Sequence, residues 1–341
     1  MYFNAEVDNA FHIWRQRFPD GQPEQITFGP TEEEGIAMAP DGRSLVTSIG
    51  ARQSAVWIHD LRGDRALTTE GFAFAPMLSR DRRRVFYLHR STPGLAGELY
   101  THDLESGTSE RVLPGIAISD FDLSPDGTEV AYTTKPRVDE SIVWVAPLDR
   151  RSAPRPIATG ADEASFVAGG DVVFRSLGET SNALGRVRRD GSGRRQVGDY
   201  VILNKMRVSP DGEWVMTFVA EGEETYTLAI PLNGGAPVRI CGVFCQASWS
   251  ADGRALFVGV QGGGSGDPSM IGPGRTLALP IPAGRATPDL PPGGVPLDVS
   301  WSGPPGTRVI DRGLIGPGSD PSTYAFVVME LQRNLYRIPL K

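Results

Sequence analysis

The chain has 341 residues, 40% of them apolar, and a formal net charge of −7. That apolar share suffices for a core and excludes wholesale disorder, while the negative charge argues against a phosphate-backbone partner. No apolar run approaches the roughly 20 residues of a membrane helix, and 41 Gly and 28 Pro make the chain rich in turns.

The N-terminal stretch MYFNAEVDNAFHIWRQRF has no basic segment followed by an apolar one, so it does not read as a signal peptide. Met1 stands inside a strand already under way. MYFNAEV, FHIWRQRFPDG and QPEQITF read as the second, third and fourth strands of a repeat. The chain is therefore expected to be a piece of a larger protein. Its compartment follows from that parent: extracytoplasmic if the parent is membrane-anchored, cytoplasmic if the chain is free-standing. TEEEG (Thr31–Gly35) has no apolar stripe behind it and reads as a loop.

From there a four-residue turn recurs. It is APDG at Ala39–Gly42, SRDR at Ser79–Arg82, SPDG at Ser124–Gly127 and Ser209–Gly212, and SADG at Ser250–Gly253. The aspartates, residues 41, 81, 126, 211 and 252, are spaced 40, 45, 85 and 41 apart. The double step predicts a hidden turn near residue 169, and AGGD at Ala168–Asp171 fits. Pro presets φ, Asp bonds nearby N–H groups and Gly accepts positive φ, so the turn marks a fold position and not an active site. An apolar strand enters each turn (DFDL, KMRV, QASW) and a second leaves it (EVAYTTK, EWVMTFVA). A third carries an aromatic or aliphatic anchor (IVWVAPL, YTLAIPL), and a fourth follows a Gly-containing turn.

Further along, Cys241 and Cys245 in ICGVFCQ read either as two small buried hydrophobes or as a disulfide formed outside the cytoplasm. GGGSGDPSMIGPG (Gly262–Gly274) lacks a Gly-Lys-Ser/Thr and reads as a long loop between second and third strands. GSDPS is a degraded turn, and the closing TYAFVVMELQRNLYRIPL reads as a second and a third strand.

A period of 40–45 residues with four short strands is that of a β-propeller blade. The expected fold is all-β, with no helix: a single propeller of four-stranded blades. Inner strands count to seven, or to eight if the N-terminal strands form an incomplete blade of their own. Residues 1–29 would supply partial first-blade strands, 30–290 six blades, and 291–341 the last blade, closing the ring against exposed edges.

The SPDG turns and VWVAPL-type third strands resemble the WD40-like repeats of TolB, a bacterial periplasmic propeller, and of the propellers of prolyl-oligopeptidase-type enzymes. None of the six Trp is followed by Asp, unlike true WD40 repeats. FHIWRQRFPDGQPEQITFGPTEEEGIAMAPDGRSLVTSIG and RNLYRIPL resemble more closely the C-terminal propeller of bacterial membrane-anchored serine/threonine kinases. That resemblance implies an extracytoplasmic sensor of a ligand or protein, tied to the membrane only through an upstream segment. The chain has no Gly-rich loop with a lysine strand, no HRD and no DFG.

Catalytic motifs are lacking too: there is no GxSxG and no HExxH. His59 and His102 each precede an Asp, but adjacent strand residues point to opposite faces, so both read as structural. Two groups remain as candidate binding residues. Glu32, Glu33 and Glu34, in the presumed inter-blade loop, would meet a cation or a basic partner, or simply be solvated. On the inner strands the apolar parity is Ile36 and Met38, Phe121 and Leu123, Met206 and Val208. The other parity places Asp120, Asp122, Lys205 and Arg207 near the axis, where they either line a ligand-binding channel or pair between blades. No cofactor is expected, and the partner is an unknown polar ligand or a protein at the loop face. The reading is a non-catalytic binding module. The alternatives are the propeller of a prolyl-oligopeptidase-type hydrolase, a TolB-like envelope scaffold, or a metal-dependent hydrolase using Asp120 and Asp122.

Overall fold

The computed structural model describes residues 1–7, 10–29, 31–91, 96–137, 139–260, 274–296, 300–313 and 315–340. Strands and turns make up its regular structure, and there is no helix among the described residues.

The recurring turn is held by side chains as well as by backbone. Ser124 Oγ donates to Asp126 Oδ1 (2.6 Å) and accepts from the Glu129 N–H (2.9 Å), while Asp126 Oδ1 accepts from the Thr128 N–H (3.1 Å). Gly127 closes the reversal onto the Ser124 carbonyl with φ of +69°. The same Ser–Asp pair recurs at Ser79–Asp81, Ser209–Asp211 and Ser250–Asp252. Each pair satisfies amides that a tight reversal leaves without a ladder partner. GSDPS is the degraded version: Gly318 bonds Thr323 as Ser124 bonds Glu129, and Asp320 takes the Ser322 N–H. The hidden turn also exists, with Val167 bonded to Asp171 and one residue fewer.

In chain order, β1 (Tyr2–Val7), β2 (Ala10–Arg15) and β3 (Glu24–Gln25) form a three-stranded sheet. β4 (Glu32–Met38), β5 (Ser44–Asp60) and β6 (Gly63–Ala66) follow. Next come β7 (Phe72–Leu78), β8 (Arg84–Arg90), β9 (Glu98–Asp103) and β10 (Ser109–Arg111), which pair in that order. Four separate four-stranded antiparallel sheets succeed them. They are β11 (Asp120–Leu123), β12 (Glu129–Arg137), β13 (Glu140–Pro147) and β14 (Arg155–Thr159); β15 (Ala161–Phe166), β16 (Val172–Ser176), β17 (Ala183–Val187) and β18 (Arg195–Gln196); β19 (Val201–Val208), β20 (Trp214–Glu221), β21 (Glu224–Pro231) and β22 (Val238–Cys241); and β23 (Gln246–Trp249), β24 (Ala255–Val260), β25 (Arg275–Pro280) and β26 (Arg308–Ile310). β27 (Ile315–Pro317) and β28 (Tyr324–Pro339) complete the set.

The sixth four-stranded unit is assembled from residues far apart in sequence. β27 pairs with the start of β28, that part of β28 pairs with the second half of β5, and β5 pairs with β6. Six apolar clusters then link the units in a circle. Val56 and Ile58 of the composite blade meet Val85 and Tyr87; Phe86 and Leu88 meet Phe121 and Tyr132; Val143 and Val145 meet Phe166 and Phe174. Val173 and Leu184 meet Ile202 and Val215, Met216 and Ile240 meet Leu256 and Leu277, and Phe257 and Ala278 return to Tyr324 and Phe326. The chain is thus an all-β propeller whose faces are buried only against neighbours. The expected count of seven blades is not confirmed, since the packing among the described residues closes with these six units.

Two expected hairpins are replaced by one exchange. SLVTSIG and AVWIHDL run on as the single strand β5, and the closing second and third strands run on as β28. The two pair antiparallel without a break from Tyr324↔His59 to Pro339↔Ser44. The physical reason is the lack of turn residues at the crossing: ARQS and ELQR carry none of the dipeptides that close a hairpin. Gly50 serves the crossing itself, because a Cβ there would stand 2.5 Å from Arg333 Cγ.

The outer halves, Ser44–Gly50 and Arg333–Pro339, join β4 in a three-stranded arm beside the ring. β1–β3 pack on this arm, burying Ile13 and Leu45 fully, with Asn4 donating to the Glu33 carbonyl. Met38, expected to face a core, is exposed there.

The turn network leads to two expected outcomes. Asp126→Ala should cost about 1 kcal/mol in urea denaturation, because Ser124 Oγ and Thr128 Oγ1 lose their acceptor and the Thr128 N–H keeps only Ser124 Oγ. These hydrogen bonds hold the Asp126 carboxyl at about 2, below its ordinary 3.8. Its contribution is therefore complete above pH ~4 and falls away as pH drops through ~2, and the variant should lose that dependence. Arg82 occupies the glycine position with φ of +61°. Arg82→Gly should raise stability by about 1 kcal/mol, read as a higher urea midpoint at unchanged slope.

Candidate functional site

The inner strands β7, β11, β15, β19, β23 and β27 line the axis, and charge is concentrated on three of them. Asp120 and Asp122 lie on β11 and Lys205 and Arg207 on β19, as expected. Between them β15 contributes Asp162, Glu163 and Ser165. A bulge between Asp162 and Ser165 interrupts the β15–β16 register, and Glu163 sits in it with φ of +52°. Such a conformation costs a non-glycine residue energy and re-aims neighbouring side chains.

The groups are knitted to one another. Asp162 is buried and takes a bidentate pair from Arg175, with Nε–Oδ1 and Nη2–Oδ2 both at 2.8 Å, and an ion pair from Lys135 at 3.3 Å. Glu163 accepts from Asn204 Nδ2 (2.9 Å) and the Lys205 N–H (2.6 Å), and pairs with Arg175 at 3.3 Å. Lys205, only 4% exposed, donates from Nζ to Ser165 Oγ (2.7 Å). Asp122 accepts from the Phe166 N–H (3.0 Å), and Arg207 reaches past the intervening blade to bond it at 3.2 Å. Asp120 pairs with Thr133 in the strand ladder, but its carboxylate makes no hydrogen bond among the described residues.

Burial shifts these groups against their partners. It pushes the Asp120 and Asp122 carboxyls above the ordinary carboxylate value, opposed by Arg207 and Lys205. It pushes the Lys205 ammonium down, opposed by Asp120, Asp122 and Glu163. Glu163 rises to about 7, mainly by burial, with Arg175 pulling the other way. Of the two alternatives open for the channel residues, these contacts are the pairing between blades: they tie three blades together.

The acidic run at Glu32–Glu34 is a correction. It is the beginning of β4 and not an inter-blade loop. Glu33 is 2% exposed and is bonded by His12, Thr27 and Thr31. Arg333 pairs with both Glu32 (3.4 Å) and Glu34 (2.6 Å). The run is thereby occupied within the arm, because Glu33 faces the β1–β3 sheet that the loop reading did not foresee.

Cys241 and Cys245 form a disulfide in the connection from β22 to β23. Between them Val243 and Phe244 stand 51% and 42% exposed. Val201, Leu203 and Leu177 lie exposed on the same loop face. His59 is structural, bonded to Asp64 and stacked on Tyr324, and His102 bonds Ser109. The Gly262–Gly274 loop, but for its last residue, and the Met206 side chain lie outside the described residues. Among the described residues no group of three or more His, Cys, Asp or Glu is placed to hold a metal ion.

Asp162, Glu163, Ser165 and Arg175 were missed in the sequence because their repeat carries the AGGD turn, whose Ser-Pro-Asp-Gly signature is lost. The usable signal was the ADEASF strand preceding it.

Glu163 gives a testable pH dependence. Its folded value lies above the ordinary 4.5, so its favourable contribution is complete below pH ~4.5 and is lost as pH rises through ~7. Glu163→Gln should flatten the stability profile between these limits, measured by urea midpoints across pH.

No protein-family model matches the sequence, and no curated protein matches it. Solved structures do match in fold. A TolB-type protein from Agrobacterium tumefaciens superposes with a TM-score of 0.61 at 16% identity, over 82% of this chain and 99% of the other. TolB from Acinetobacter baumannii gives 0.52 at 14% identity, over 82% of this chain and 76% of the other. At such identities the likeness is one of fold, and in fold the chain is a TolB-like β-propeller.

Proposed function

We propose that the chain is a non-catalytic binding module, the extracytoplasmic sensing part of a membrane-anchored serine/threonine kinase. The observation that carries the binding role is the apolar rim of the loop face. Large apolar side chains left in water at loop ends are characteristic of contact surfaces. Here the Cys241–Cys245 bridge holds Val243 and Phe244 out of the core. The channel supports the same reading, because Asp122, Asp162 and Glu163 are paired with Arg207 and Arg175, bracing the scaffold beneath the loops.

The kinase link rests on the sequence resemblance of the FHIWRQRFPDG and RNLYRIPL segments. A disulfide suits an oxidising compartment, which supports an extracytoplasmic location. A TolB-like scaffold for protein partners would use the same rim.

Two measurements test the proposal. The reading frame upstream of the Met1 codon should continue into a membrane span and a kinase domain; a stop codon just before Met1 would overturn the kinase assignment. Alkylation of the protein in its native host should find Cys241 and Cys245 unreactive until reduced, and free thiols there would overturn the extracytoplasmic location.

A further inference from the structure

In each of the six ring blades the third strand is covered by a short fourth strand of two to five residues: β6, β10, β14, β18, β22 or β26. Short, polar edges of this kind resist pairing with other chains. The arm differs. Its order is β4, the first half of β5, then Arg333–Pro339 of β28, and among the described residues no strand pairs with the far side of that last segment.

This free edge is longer than the fourth strands and more apolar. Leu335 is 77% exposed and Tyr336 is 48% exposed. Charged side chains commonly guard an edge, but here the arginines are drawn back onto their own sheet. Arg333 is held by Glu32 and Glu34, and Arg337 donates from Nε to Ser44 Oγ (2.7 Å).

We propose that this edge pairs with the same edge of a second copy of the chain, antiparallel about a two-fold axis. The edge is self-complementary in charge. The backbone groups of Arg333, Leu335 and Arg337 point to this edge, and with Tyr336 opposite the partner's Tyr336, Leu335 falls opposite Arg337 and Arg333 opposite Pro339, so no like charges face each other. A two-fold contact of this kind is closed, since both copies use the same edge, and it stops at the dimer. The continuous sheet would then have six strands, with Pro339 ending the pairing at each side because it has no N–H to donate.

The contact is small, so association in the micromolar range is expected. Sedimentation velocity of the whole chain, from about 1 to about 300 μM, should show a shift from monomer to dimer. Leu335→Lys and Tyr336→Lys each place a charge on the edge and should weaken association at least tenfold. Both side chains are substantially exposed, so the thermal transition should hardly move. Hydrogen exchange on the unaltered chain supplies a readout that needs no variant: alternate amides from Asn334 to Ile338 should become at least tenfold slower to exchange as the dimer fills. A monomer throughout the concentration range would overturn the proposal. So would a dimer that ignores both lysine variants and adds no protection at residues 334–338, because it would use another surface.

Discussion

Everything in the ring depends on one pairing, that of β5 with β28. Four-stranded sheets stacked side by side leave two raw faces unless the last meets the first. Here the meeting is covalently mixed: two strands of the composite blade come from residues 54–66 and two from residues 315–328. The pairing runs from Tyr324↔His59 to Pro339↔Ser44, longer than any single blade requires. The entropy of bringing such distant segments together grows only with the logarithm of the separation, whereas each added pair contributes locally. A long ladder is therefore a cheap way to hold a large ring shut, and its surplus length is what creates the arm.

Much of the ring was legible in the sequence because its turns are chemical and not merely compositional. Ser and Asp two residues apart, with Gly next, satisfy named amides, so the string marks a place in the fold wherever it occurs. The exchange was not legible, because strand periodicity says where a strand lies but not which strand lies beside it. IGARQSAVW reads equally well as two strands or as one. Glu32–Glu34 was misread for a related reason. Three consecutive acids have no alternation to show, and their fixed partners, His12 and Arg333, lie at opposite ends of the numbering.

The channel residues were half legible. Asp120, Asp122, Lys205 and Arg207 stood out by parity on two well-formed repeats. Their meeting point, β15, sits in the repeat with the poorest turn, and its bulge breaks the alternation on which a parity argument relies. The charged belt is correspondingly uneven: it binds three neighbouring blades to each other, while elsewhere single polar contacts such as Arg312–Asp64, Arg82–Asp320 and Arg150 to the Val112 carbonyl accompany the apolar packing. Removing one member would leave its partners buried without compensation, which is why such clusters hold position even where they add little net stability.

The composite blade also has a consequence for how the protein is made. His59 is synthesised roughly 265 residues before its partner Tyr324. At the usual pace of about 5–20 residues per second, the side of β5 that receives β28 waits on the order of tens of seconds for its partner, although β4 and β6 are already available to the other side. Blades 2 to 6 in chain order, from β7 to β26, have all their strands while synthesis is still in progress; the first blade to emerge is the last that can be completed. The ring is thus born open, with one long edge of β5 uncovered at the ribosome, and the seam that later secures it is for that interval its most vulnerable edge.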